Sequence, residues 1–203
     1  MVIYFNSSAK APYYKLSNFH SLGNNFIVID GECYNTTEAA FQAFHKIANS
    51  DRKHFQIAGK FGSWDGMNAF FDKEIAPKKI SYWSKKNNLG IVAKMASNPK
   101  YKSKTNLTFK NTCDKYDDIL DGYTKDWAIL LIHKFSLPGF RELLLETKDE
   151  MLVEFDRMGN PNCFWGGKII EGRLVGSNAM GKMLMMVRES LNLKKQILEV
   201  VKR

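Results

Sequence analysis

Short β-prone runs towards both ends of the chain, with helical patterns between them, predict an α+β fold that is mainly helical. Three observations carry this reading. VIYF at 2–5 and FIVID at 26–30 are strand-like, and the second turns at Asp30-Gly31 into a hairpin with residues 32–34. Apolar residues recur at helical spacing through the middle of the chain. Near the C-terminus, Met180, Met183, Leu184, Val187 and Leu191 follow i, i+3, i+4, i+7, i+11, a stripe that reads as core rather than as a cofactor box.

In chain order, VIYF is the first strand, and the aromatic, turn-forming APYYKLSNFH after it is a structured loop. Helices are expected at about 36–48, 51–60 and 64–73, and again near 89–97, followed by an irregular stretch rich in lysine and asparagine. Residues 123–135 read as a buried helix, and Pro138 starts the next one, GFRELLLET. MLVEF at 151–155 is a strand, and a glycine-punctuated stretch leads to a helix beginning near Asn178. The tail LKKQILEVVKR adds an amphipathic turn or two. No repeat, long linker or second domain boundary is visible, so one domain is expected over 1–203.

The composition is that of a globular chain with a substantial core, 44% hydrophobic and 25% charged over 203 residues. No apolar run is long enough for a membrane span, and the N-terminus lacks the pattern of a signal peptide, so a soluble, cytoplasmic protein is expected, without a membrane partner. Three cysteines, Cys33, Cys113 and Cys163, are too few for a disulfide framework and are expected as buried thiols. The four histidines form no zinc pattern with them; neither a metal nor another cofactor is expected.

On the helix at 36–48, Glu38, Gln42 and His45 stand at i, i+4 and i+7 beside Phe41, while Ala40, Ala43, Phe44 and Ile47 form the core stripe. An acid, amide and imidazole row next to a core stripe is suited to the wall of a pocket. The other reading is structural: Asn35 followed three residues later by Glu38 is a capping-box pattern.

The charge of +9 has one location. From Lys78 to Lys110 there are nine lysines and no acid, interleaved with Tyr82, Trp83, Tyr101 and Phe109; elsewhere 21 basic residues balance 21 acidic ones. Such a segment, taken as a basic insertion at about 75–113, suits a phosphate backbone and stacked bases, or serves only as a solvated surface.

LSNFH at 16–20, DGECYNTTEAAFQAFHK at 30–46, KF at 134–135, LVE at 152–154, FWG at 164–166 and NAMGKMLMMVRE at 178–189 stand in the order seen in the NADAR (YbiA-like) family. The resemblance spans both ends of the chain, with residues 75–113 as an enlarged region that short family members lack. The resemblance implies a mainly helical α+β single domain with short N-terminal antiparallel strands. It also implies N-glycosidase activity on a ribosyl or ADP-ribosyl N-glycosidic bond, in ADP-ribosylated guanine or in phosphorylated ribosylamino-pyrimidine intermediates of riboflavin synthesis. Carried over, it points to Asn18, Phe19, Glu38, Gln42, Trp165, Gly166, Asn178 and Arg188. The chain departs from the family's usual pattern at Ala39 (often His), at His45 (usually Lys) and at Gly167 (often Asp).

Cleaving an N-glycosidic bond builds positive charge at the sugar's C1′ and O4′, so a carboxylate beside C1′ both stabilises that charge and takes a proton from water. Glu38 is the catalytic candidate. Asn18, Gln42 and Asn178 are candidates for ribose or base contacts, Phe19 and Trp165 for stacking, and His45 and Gly166 for lining the site. Lys60 and Arg188 are candidates for phosphate, with Glu154 a second carboxylate or an ion-pair partner of Arg188. The expected partners are the ribosylated or ADP-ribosylated substrate and, through the basic segment, nucleic acid. In the other class stands a non-catalytic module binding ADP-ribose or nucleic acid.

Overall fold

The computed structural model describes the backbone of residues 1–110 and 116–201 and the side chains of 1–110 and 125–197. The chain forms two compact units, one of Met1–Ser17 with Leu131–Arg203 and the other of Asn18–Leu130. Among the described residues no helix is long and apolar enough to cross a membrane.

In the first unit, β1 (Val2–Phe5) pairs with β4 (Met151–Glu154) in parallel, Val2 opposite Met151 and Phe5 opposite Glu154. This corrects the expectation of antiparallel N-terminal strands for β1. The alternation that buries Ile3 and Phe5 is the same for either direction, and the partner lies 149 residues away, so local pattern cannot fix the pairing. Helix α6 (Phe140–Glu146) begins after Pro138 as expected, with Glu142 accepting from the Gly139 N–H. Helix α7 (Ala179–Val201) packs on β4 and α6, and it absorbs the tail as one continuous helix. Of its predicted core stripe, Met180, Met183, Leu184 and Val187 are buried, while Leu191 is only half-buried. A further hairpin pairs β5 (Lys168–Ile170) with β6 (Arg173–Val175).

In the second unit, β2 (Ile27–Ile29) and β3 (Glu32–Tyr34) form the expected antiparallel hairpin, with Asp30 and Gly31 both at positive φ. Helix α1 (Thr37–Lys46) follows; of its expected stripe, Ala40, Ala43 and the C-cap Ile47 are fully buried and Phe44 is half-buried. The helices expected at 51–60 and 64–73 are instead short 3₁₀ turns, at Asn49–Phe55, Lys60–Gly62 and Trp64–Ala69. Glycines bring these turns closer than any side chain allows: a Cβ on Gly62 would lie 1.9 Å from the Gln56 carbonyl oxygen. The lysine-rich segment carries more order than expected, with α2 (Ile75–Ser84), α3 (Gly90–Ala96) and the single turn α4 (Lys102–Thr105). Asp72 fixes the start of α2 by accepting from the Glu74 and Ile75 amides. Helix α5 (Tyr116–Ser136) is longer than the expected 123–135 and contributes residues to both units. Cys33 and Cys163 are half-buried rather than buried thiols; Cys113 lies outside the described residues.

Candidate functional site

The start of α1 decides between the two readings of Glu38. Thr36, extended at φ −146°, is the cap, its hydroxyl accepting from the Ala39 amide at 3.0 Å. Asn35, expected as the cap, instead donates its side-chain amide to the Gly62 carbonyl at 2.6 Å. With Thr36 as cap, Glu38 is the second helical residue, one short of the capping-box position. The capping reading is thereby corrected, and the carboxylate is engaged elsewhere.

Glu38 is only 4% exposed. Its Oε1 accepts from Gln42 Nε2 at 2.6 Å, one turn along α1, and lies 3.2 Å from Lys94 Nζ on α3. Oε2 accepts no hydrogen bond among the described residues. Gln42, fully buried, turns its other end to α3, where its Oε1 accepts from the Ser97 hydroxyl at 2.5 Å. Both ends of the amide are therefore used within the protein, and its orientation is fixed by an acceptor on one side and a donor on the other.

The loop from Asn18 to Ser21 is pinned between α1 and α3. The Asn18 carbonyl accepts from the Thr37 hydroxyl at 3.1 Å and from the Glu38 amide at 3.2 Å, while the Phe19 carbonyl accepts from the Gly90 amide at 2.9 Å. The Asn18 side-chain oxygen accepts from the Thr37 hydroxyl at 3.1 Å. His20 faces the Lys86 carbonyl at 3.0 Å. Gly90 is the residue that permits this packing, since a Cβ there would stand 2.8 Å from Phe19 Cα and 3.0 Å from Glu38 Cβ. Asn18, Phe19, Glu38 and Gln42 are thus brought together as expected. Lys94, Ser97 and Gly90 complete the group and were not expected in it; only the high charge of the segment hinted at Lys94.

His45 is not part of this group. Its Nε2 lies 2.8 Å from the Asp126 carboxylate, and its ring packs on Phe41, which stacks on Trp127 at 4.2 Å. Phe41, His45 and Asp126 border a cavity of about 110 Å³ lined also by Ile29, Phe44 and Ile129. Burial pushes the imidazole below its usual pKa, opposed by Asp126. Lys60 is exposed at the start of a 3₁₀ turn whose other residues, Phe61 and Gly62, are buried, its ammonium 5.4 Å from the Phe61 ring centre.

In the other unit, Glu154, Gly166 and Asn178 are close neighbours through their backbones. Asn178, fully buried, accepts at Oδ1 from the Glu154 amide at 3.0 Å and donates to the Leu152 carbonyl at 2.8 Å. Its own amide donates to the Gly166 carbonyl at 3.0 Å, and the Trp165 carbonyl accepts from Met180 at 3.1 Å. A Cβ on Gly166 would meet the Glu154 carbonyl oxygen at 2.5 Å. Here the side-chain amide of Asn178 ties the start of α7 to β4. Arg188 does not reach Glu154, a correction: its Nη1 donates to the Thr147 hydroxyl at 2.7 Å and the Glu150 carbonyl at 2.9 Å, at the C-terminus of α6, where a cation complements the helix dipole. Lys134, also not expected, is wholly buried, donating to the Ser17 carbonyl at 2.7 Å between the rings of Phe135 and Phe140; burial pushes it down to about 7. Its sequence signal was the KF pair at 134–135 among the ordered motifs, to which no role had been given.

Several lysines of the basic segment are used within the protein. Besides Lys94, Lys110 donates to the Phe44 carbonyl, Lys104 donates to the Phe70 carbonyl at 3.4 Å, and Lys79 lies over the Phe71 and Trp83 rings. Lys78, Lys85, Lys100 and Lys102 are exposed. No group of three or more His, Cys, Asp or Glu side chains suited to a metal occurs among the described residues.

The fold and this group define an α+β protein with a buried carboxylate held by an amide and an ammonium. No protein-family model matches the chain, and no curated protein matches it in sequence. Its structure is similar to the NMR structure of the E. coli protein YbiA, with a TM-score of 0.58 and 21% identity over 97% of this chain and 88% of that one. The chain therefore has a YbiA-like fold.

Proposed function

We propose that this protein is an N-glycosidase hydrolysing a ribosyl or ADP-ribosyl N-glycosidic bond. The observation that carries the reading is Glu38: a buried carboxylate with Oε1 held by Gln42 and Lys94 and with Oε2 accepting no hydrogen bond among the described residues. The YbiA-like fold and the order of the motifs support it.

In this reading water attacks C1′ as the C1′–N bond breaks. Glu38 faces the developing positive charge and receives the proton of the attacking water. Gln42, fully buried and bonded at one end to Glu38 and at the other to Ser97, holds the carboxylate, so its role is positioning. Asn18 and Phe19, on the loop pinned against Glu38, contact the sugar or the leaving base. Asn178 supports the fold of its own unit, tying β4 to the start of α7, and Arg188 does the same at the end of α6.

The substrate carries phosphate, as ADP-ribosylated guanine in nucleic acid or as a phosphorylated ribosylamino-pyrimidine, and the exposed lysines of the basic segment favour the polyanion. Product analysis by mass spectrometry on both substrates tests this. Free ADP-ribose released from the nucleic acid assigns the first, and cleavage of the pyrimidine alone assigns the second. Binding of either without cleavage replaces the enzyme with a non-catalytic module.

A further inference from the structure

The later part of α7 carries apolar side chains that stay exposed among the described residues. Met186, Leu193 and Ile197 are 68%, 57% and 54% exposed, and residues 192–197 are exposed without exception. With Ser190 these positions alternate by four and three residues, the spacing of a coiled-coil seam. Met186 and Leu193 fall at d, and Ser190 and Ile197 fall at a. At about 100° per residue the seam lies roughly a third of a turn from the face that Met180, Leu184 and Val187 bury, so it is a second surface of the helix.

The flanking charges choose the partner and its direction. Glu189 occupies g before the Ser190 position, and Lys194 occupies e after Leu193; both are exposed. In a parallel two-stranded coil, g of one helix faces e of the following heptad on the other, which sets Glu189 against Lys194 of a second copy, twice by symmetry. In an antiparallel pair, g faces g and e faces e, and this complementarity is lost. Ile at a with Leu at d is also the two-stranded combination.

We propose that this seam is a self-association surface on which a second copy of the chain packs its own α7 in parallel. Sedimentation equilibrium on the full chain tests it. The expected mass at high concentration is twice 23.3 kDa, and the Leu193→Glu, Ile197→Glu double variant stays at 23.3 kDa with unchanged far-UV circular dichroism. Glu189→Lys alone raises the dissociation constant about 5-fold, and adding Lys194→Glu restores it. A wild-type mass of 23.3 kDa at every concentration overturns the proposal, as does a dimer that survives the Leu193 and Ile197 substitutions. A dimer that the charge exchange fails to restore overturns the parallel arrangement.

Discussion

The Gln42 amide joins α1 to α3 through two hydrogen bonds of opposite sense, donating to Glu38 Oε1 at 2.6 Å and accepting from the Ser97 hydroxyl at 2.5 Å. Because both ends are satisfied and the residue is fully buried, its removal leaves two polar partners stranded at once. Gln42→Leu is expected to cost about 1–3 kcal/mol in denaturant unfolding and to lower turnover more than substrate affinity. Ser97→Ala should cost less, since it strands only the amide oxygen. Equal turnover in Gln42→Leu and wild type would remove the positioning role.

Gly90 lets the α3 start, the Asn18–Phe19 loop and Glu38 meet at one point. Gly90→Ala puts a Cβ 2.8 Å from the Phe19 backbone, which cannot give way as a flexible side chain would. A loss of about 1–3 kcal/mol is expected, with turnover falling because the Glu38 side chain is displaced. Thermal unfolding together with activity on the same sample checks both parts.

Lys134 predicts a pH dependence of stability. Burial lowers its pKa from the usual 10.5 to about 7, so between those values the unfolded chain holds a proton that the folded chain lacks. Stability from this group therefore rises as pH increases through that window, and the full penalty of the buried charge is present below about 7. In urea unfolding, wild type should gain on Lys134→Met as pH rises from 7 towards 10, with a constant difference at lower pH. A difference that does not change with pH would contradict the assignment.

The exposed lysines predict a salt effect. Replacing Lys85, Lys100 and Lys102 with Gln should weaken binding of an ADP-ribosylated oligonucleotide and reduce the slope of log affinity against log salt by up to about 3, while sparing a small nucleotide. Equal effects on both ligands would leave the basic segment without a role in nucleic-acid binding.

Much of the second unit was legible because its signals are local. The Asp30-Gly31 turn, the buried stripe of Ala40, Ala43 and Ile47 and the pairing of Glu38 with Gln42 all follow from spacing within one element. The exchange of Asn35 for Thr36 as cap was not legible, because the Gly62 carbonyl that takes the Asn35 amide is 27 residues away. Nor were Lys94, Ser97 and Gly90, whose meaning arises only when α3 docks on α1. The same holds for β1, whose parallel partner comes from the far end of the sequence, and for Arg188, whose donors were matched by type to Glu154 but by geometry to Thr147 and Glu150. Motif order named candidate residues, and contacts between distant segments showed how those residues are held.

The most direct test of the account is Glu38→Gln, which keeps the size of the side chain and its place beside Gln42 and Lys94. Substrate binding and single-turnover cleavage would be measured on one preparation. The account predicts binding within a few-fold of wild type and cleavage reduced on the order of 10²-fold or more. Full cleavage by Glu38→Gln of a substrate that wild type hydrolyses would contradict it.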